Sequence, residues 1–253
     1  MIKKISLSVA VITKNEEKRL PDCLRSVSFA DDIVVVDSGS TDRTVDIAKE
    51  FGCAVYIEAW KGYGPQKNSA LKKCGSDWVL LLDADERVPA ETAALITDIL
   101  KAPSADAYTV KRKNYLHGHW LKHSGYWPDR QIRLVNRKMG FFQAAIHEKW
   151  TTEGRIEDLN AHIDHYAFSG YHDMLNTLNE YSTVIAKELY QSGRRANALS
   201  PLLHGIGMFF KIYFIERGFL DGMDGFVTAL TKAGGSFFKY AKLLELQREK
   251  NDS

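Results

Sequence analysis

Short apolar runs alternate with helix-patterned stretches along the first third of the chain. Leu7 to Thr13 (LSVAVIT), Ile33 to Asp37 (IVVVD), Cys53 to Ile57 (CAVYI) and Trp78 to Asp83 (WVLLLD) are mostly continuous and rich in β-branched residues, the pattern of parallel strands buried on both faces. Between the first two, Leu20, Leu24 and Val27 recur at i, i+4 and i+7, and Pro21 stands where only an early helical turn tolerates it. After the second strand, Ser38-Gly39-Ser40-Thr41-Asp42 supplies a turn, a cap and an acidic first turn, and Gly52 closes the helix that follows. Pro65 to Cys74, with Gly75, predicts a third helix and Pro89 to Lys101 a fourth. Such alternation predicts a doubly wound α/β sheet covered on both faces.

Beyond residue 105 the pattern changes. Ala107 to Lys111 and Arg130 to Val135 alternate in polarity and predict mixed or antiparallel strands. They flank an aromatic and histidine-rich stretch, Tyr115 to Trp127, that reads as a long functional loop. From Tyr171 the period is helical, with Met174, Leu178, Tyr181, Ile185 and Leu189 on one stripe. The expected division is a catalytic α/β domain over residues 1–170 and a helical region over 171–253.

Leu199 to Ile215 is strongly apolar but only 17 residues long, and Pro201, His204, two glycines and Lys211 interrupt it; it is too short and broken for a transmembrane helix. Charge sharpens the picture. The net charge of +2 disfavours nucleic acid as a partner, yet residues 194–250 carry nine Lys/Arg against five Asp/Glu, so this stretch is +4 and the rest −2. With Phe214, Phe219, Phe226, Phe237 and Phe238 nearby, the tail reads as an interfacial platform on the anionic inner leaflet of a cell membrane. A helical subdomain packed on the sheet or on a second protomer gives the same pattern. Cys23, Cys53 and Cys74 are far apart and form no CxxC pair, and Met1 to Ile5 lacks a secretory signal. Both features lead to the expectation of a cytoplasmic, reducing location.

Ligands of open α/β sheets bind beyond the carboxyl ends of the strands. Three acidic segments are expected there: Thr13-Lys14-Asn15-Glu16, Asp37 to Asp42, and Asp83-Ala84-Asp85-Glu86. Neither GxGxxG nor GxxxxGK[ST] occurs, which disfavours dinucleotide oxidoreductases and P-loop NTPases. A carboxylate at a strand end can bind a ribose hydroxyl or a base imide, and two carboxylates two residues apart can grip a hard divalent cation carrying a diphosphate. Asp83 and Asp85 have that spacing, although acidic residues before a helix also serve as caps.

The segments LSVAVITKNEEKRLPDCLRSV, DDIVVVDSGSTDRTVDIAKEFG and GYGPQKNSALKKCGSDWVLLLDADE, followed by PDRQIRLVNR and AAIHEKW, resemble the family 2 glycosyltransferases. Within that family they are most similar to bacterial lipopolysaccharide inner-core glucosyltransferases that make a β-1,4 bond. The resemblance implies a Rossmann-like GT-A domain with a helical C-terminal region. It also implies inverting transfer of a hexose, glucose, from a UDP-sugar to a lipopolysaccharide inner-core acceptor, with Mg²⁺ or Mn²⁺. Thr13, Asn15 and Glu16 would line the nucleotide pocket, Asp37 would bind uracil or ribose, and Lys67 would lie close to the donor. Asp83 would hold ribose or metal-bound water, and Asp85 would ligate the metal.

An inverting transfer needs a base for the acceptor hydroxyl. The family places it after the acceptor loop, where Glu148 fits the order and Asp129 is the rival; the more familiar Glu-Asp pair is missing. His165 sits where some relatives complete a metal site with two aspartates. Arg130 and Arg133 could meet donor phosphates or an anionic acceptor, and His117, His119, Trp120 and Trp127 lie on the presumed acceptor loop, where rings stack on sugars or simply pack. The partners implied are a UDP-sugar, a lipid-linked saccharide and the inner leaflet. Other readings are a transferase acting on polyprenyl phosphate, whose acceptor needs no carboxylate base; a nucleotidyltransferase, which would carry a Gly-rich loop where TKNEE is found; and a non-catalytic membrane scaffold.

Overall fold

The computed structural model describes residues 5–143 and 149–249. The chain forms two compact units: residues through Arg112 together with Arg130–His165, and Lys113–Asp129 together with the residues from Tyr166 onward.

In the first unit, strands β1 (Leu7–Thr13), β2 (Asp32–Asp37), β3 (Ala54–Ile57) and β4 (Trp78–Asp83) run parallel. Helices α1 (Leu20–Ser26), α2 (Thr44–Glu50) and α3 (Tyr63–Lys73) connect them, and α4 (Ala90–Ile99) follows. β1 lies between β2 and β4, with Thr13 opposite Asp37 and Ile12 opposite Asp83. Its seven residues are all buried because alternate side chains enter two cores. Val9, Val11, Leu80 and Leu82 meet Leu20 and Leu24 of α1 and Ile96 of α4 on one face; Ala10, Ile12, Val79 and Leu81 meet Ala70 and Leu71 of α3 on the other. Burial on both faces is why these runs do not alternate in sequence.

The remaining strands are β5 (Glu86–Arg87), β6 (Ala107–Leu116), β7 (His119–Trp120), β8 (Asp129–Asn136), β9 (Gly140–Gln143), β10 (Lys149–Thr152) and β11 (Ile156–His165). Among the described residues one sheet has the order β3-β2-β1-β4-β8-β6-β11-β5, with β7 paired to β6, and β8 runs antiparallel to β4. β9 and β10 form a separate antiparallel pair. This is the expected α/β sheet, parallel over β1 to β4 and mixed beyond them. One strand departs from expectation: β3, read as buried, is a sheet edge among the described residues and is largely exposed, Ile57 at 66%. Gly52 does close α2, at φ +75°, a backbone that glycine adopts without a Cβ penalty.

In the second unit, α5 (Tyr171–Gln191) and α6 (Ser200–Phe210) both pack against α7 (Gly222–Glu249). A π-helical turn, Lys211–Ile215, and a 3₁₀ turn, Gly218–Asp221, join α6 to α7. The buried side chains of α5 are Met174, Ser182 and Ala186, whereas Tyr181 from the expected stripe points outward. On the face turned to α7, Lys242 donates to the Asn179 carbonyl and to the hydroxyls of Ser182 and Thr183 at 2.7–2.9 Å. No helix among the described residues is long and apolar enough to cross a membrane.

Candidate functional site

The carboxyl ends of β1, β2 and β4 lie side by side, so Thr13, Asp37 and Asp83 arrive at one edge of the sheet. Two loops leave from there and are stitched together. Asn15 takes a left-handed backbone (φ +55°), which asparagine tolerates. Its N–H donates to Ser40 Oγ at 2.7 Å, and its Oδ1 accepts from the Thr41 N–H at 2.8 Å. The Glu16 N–H donates to Thr44 Oγ1 and the Glu17 N–H to Asp42. Asp37 is fully buried and closes its own loop: Oδ1 accepts the Gly39 and Ser40 N–H groups at 2.9 and 2.8 Å, and Oδ2 accepts the Ser40 hydroxyl. Thr13 Oγ1, by contrast, is buried without a hydrogen-bond partner.

A charge cluster surrounds Asp83. Arg133, on β8, is 2% exposed and its Nη2 donates to Asp83 Oδ2 at 2.7 Å and to Glu86 Oε1 at 2.5 Å. Glu86 is fully buried, accepts the Asp83 N–H at 3.0 Å, and has Arg112 Nη1 at 3.7 Å. Lys67, nearly buried on α3, places Nζ 3.7 Å from Asp83 Oδ1. Burial alone would push the Asp83 carboxyl up, but Lys67, Arg133, Arg112 and His165 outweigh it and hold it well below the usual carboxylate range. Asp83 is therefore ionised at any ordinary pH. Glu16 shifts the other way: burial raises it, Arg19 opposes, and Asp85 adds to the rise.

The structure brings Asp85 and His165 together, with Nε2 and Oδ2 3.4 Å apart. Asp85 Oδ1 is buried and lacks a hydrogen-bond partner. Asp83, engaged by Arg133 and Lys67, faces cations, and among the described residues no three His, Cys, Asp or Glu side chains form a complete metal cage. The pair nonetheless suits a divalent cation, toward which Asp85 would offer a carboxylate oxygen and His165 an imidazole nitrogen. An orphaned buried carboxylate oxygen is what such an ion would satisfy.

The other candidates are dispersed. Glu148 lies outside the described residues. The strand before it, β9, is clasped to α3 beside Lys67, since Asn68 Nδ2 donates to the Phe142 carbonyl and Asn68 Oδ1 accepts the Phe142 N–H, each at 2.8 Å. Arg130 points away from Arg133's cluster and pairs with Asp158 at 3.0 Å. Asp129 belongs to the second unit, where it bears electrostatically on Tyr126 and Lys232. In that unit Trp120 and Trp127 pack edge to face at 5.0 Å, and His117 Nδ1 lies 3.0 Å from Asp224. Glu86 and Arg112 are members of the Asp83 cluster that the sequence reading did not single out. Glu86 closes the acidic run after β4, and Arg112 stands in the charged run Lys111-Arg112-Lys113 of β6.

Comparison with known proteins adds an independent finding. Residues 8–176 match the family model described as Glycosyl transferase family 2. An uncharacterized glycosyltransferase of Rickettsia typhi is 35% identical, over 95% of this chain and 87% of that protein. The lipopolysaccharide core biosynthesis glycosyltransferase LpsC of Rhizobium meliloti is 30% identical, over 97% of this chain and 94% of its own length. Among solved structures, S. aureus TarS 1–349 in complex with UDP-GlcNAc is 18% identical, covers 97% of this chain and 92% of that one, and superposes with a TM-score of 0.49.

Proposed function

Given that the chain belongs to glycosyl transferase family 2, we propose that it is an inverting transferase that moves a hexose, glucose, from a UDP-sugar to a lipopolysaccharide inner-core acceptor on the cytoplasmic leaflet, with Mg²⁺ or Mn²⁺. The observation that carries the donor half is the pairing of Asp85, with its unpartnered buried oxygen, and His165 at the carboxyl edge of β1, β2 and β4. The near full-length likeness to a protein named for lipopolysaccharide core biosynthesis supports the acceptor half.

The chain's own groups have separable tasks in this reading. Thr13 Oγ1, free of protein partners, offers a hydrogen bond to the nucleoside, and the stitched loops carrying Asn15, Glu16 and Asp37 fix the pocket's outline. Asp85 and His165 would hold the cation, which would supply positive charge against that developing on the departing diphosphate. Lys67 and Arg133 keep Asp83 ionised and fixed, and Glu86 in turn fixes Arg133. Glu148 takes the proton of the acceptor hydroxyl as its oxygen attacks the anomeric carbon and UDP leaves, with Asp129 the alternative base.

A panel of nucleotide sugars, assayed with Mn²⁺ against a lipid-free inner-core oligosaccharide and against polyprenyl phosphate, tests the proposal. Transfer of glucose from UDP-glucose to the oligosaccharide, with inversion, is the expected result. Transfer only to polyprenyl phosphate would replace the acceptor, and no transfer with any donor would leave a non-catalytic scaffold.

A further inference from the structure

The hairpin of α6 and α7 leaves a broad apolar surface uncovered. α6 packs chiefly on α7, so closely that a Cβ on Gly205 would sit 3.2 Å from Phe237. Leu203, Ile206 and Phe210, on its other sides, stay exposed. The connection between the helices continues this surface with Phe214, Ile215, Phe219 and Met223, Ile215 being 76% exposed and Met223 69%. The backbone directs these side chains outward. The π-helical turn shifts the phase of side chains after α6, burying Ile212 and projecting Phe214 and Ile215. Arg217 then adopts a left-handed backbone (φ +54°) that reverses the chain. Gly218 lets the turn close, because a Cβ there would stand 2.8 Å from the Ile212 carbonyl oxygen.

Charge is sorted across the same hairpin. Asp221 is turned inward and accepts the His123 N–H and the Ser124 hydroxyl at 3.0 Å. Asp224 accepts the Tyr171 hydroxyl at 2.7 Å. Glu216 is half-buried, 3.8 Å from Lys211. Lys211 and Arg217 remain exposed. Contiguous exposed apolar surface of this kind marks an interaction site, and an apolar edge with cations outside and carboxylates withdrawn is complementary to an anionic bilayer rather than to an acid-patterned protein surface.

We infer that the α6–α7 connection docks the protein on an anionic leaflet, with Phe214, Ile215 and Phe219 entering the headgroup–acyl boundary and Lys211 and Arg217 meeting lipid phosphates. Docking of this kind serves the lipid-linked acceptor proposed above and requires nothing of the catalytic site.

Sedimentation of the full chain with vesicles of phosphatidylcholine, alone or mixed with phosphatidylglycerol, tests it. The protein is expected to pellet with the mixed vesicles, weakly with the neutral ones, and to be released by salt. Replacing Phe214, Ile215 and Phe219 together by Ser should weaken vesicle binding at least about tenfold by removing the inserted apolar groups. Transfer to a lipid-free acceptor and the melting temperature should stay those of the wild type. If the triple variant melts early, Lys211→Gln with Arg217→Gln, which spares the apolar packing, should lower affinity for mixed vesicles and flatten the salt dependence. Wild-type protein that stays in the supernatant with both vesicles overturns the inference, as do variants that pellet like wild type. A wild-type dimer in light scattering that the triple substitution converts to a monomer also overturns it, in favour of a face covered by a second copy. Wild-type protein that transfers but does not bind vesicles removes the docking alone, whereas wild-type protein that binds vesicles but does not transfer removes the catalytic proposal alone.

Discussion

At Asp85 a carboxylate oxygen is buried with no donor, an arrangement that costs roughly 1–3 kcal/mol when nothing satisfies it. Asp85→Asn keeps the volume and removes the charge that would hold a cation. Transfer should fall at least about 10²-fold, since a metal supplies several kcal/mol of transition-state stabilisation, and UDP affinity measured by calorimetry should lose its dependence on Mn²⁺. Unchanged activity with metal dependence intact would remove Asp85 from the metal site. For the base, Glu148→Gln should lower kcat roughly 10²- to 10⁴-fold with little change in donor affinity, and Asp129→Asn should cost far less. Rapid-quench kinetics giving the opposite ranking would exchange the two roles, and no effect from either would indicate an acceptor that is already anionic. Arg133→Met is a different experiment, because it takes the nearer of two cations from the fully buried Glu86 and leaves Arg112 at 3.7 Å. The fold should lose about 3–5 kcal/mol in urea titration. Adding Glu86→Leu should restore most of the stability without restoring transfer, since Asp83 would still lack its anchor; recovery of both would make the cluster purely structural.

Among the elements, the turn into α7 has the least room. A Cβ at Gly225 would stand 1.9 Å from the Gly218 carbonyl oxygen and 2.9 Å from Asp221 Cβ. Gly225→Ala should therefore destabilise the helical unit by about 1–3 kcal/mol, the usual size of overpacking, despite alanine's better helix propensity. Hydrogen exchange over α6 and α7 should rise while that of β1 and β4 stays unchanged; a stabilised variant would show that the turn relaxes freely. Elements also differ in how plainly the sequence announces them. β1, β2 and β4 are legible because burial on both faces leaves unbroken apolar runs. β5 and β7 are two residues long, too short for any period to register, and they exist only because a partner strand lies beside them. α5 shows a helical period, but which stripe is buried is set by how it packs on α7, a partner distant in sequence.

For the whole molecule, donor binding should raise stability by mass action. UDP at 100 times its dissociation constant adds roughly 2.7 kcal/mol, and for a chain of this size each kcal/mol moves Tm by about 2–4 °C. A shift on the order of 5–10 °C is expected with Mn²⁺, and EDTA should abolish most of it. An equal shift in EDTA would show that the nucleotide is held without the cation. The sequence by itself determined that the chain begins as an α/β sheet, that its acidic motifs stand at strand ends, and that a helical, basic and aromatic region follows. Those features rest on local periodicity, on caps and turns, and on motif order, all of which are written within a few residues of one another. Tertiary structure decided what the motif residues touch. Arg133 reaches Glu86 across 47 positions and Asp83 across 50, Asp85 meets His165 from another strand, and Lys113–Asp129 groups with the helices. Pairing partners distant in sequence depends on strand register and helix packing, which are set by burial over the whole unit and leave no mark at any single position.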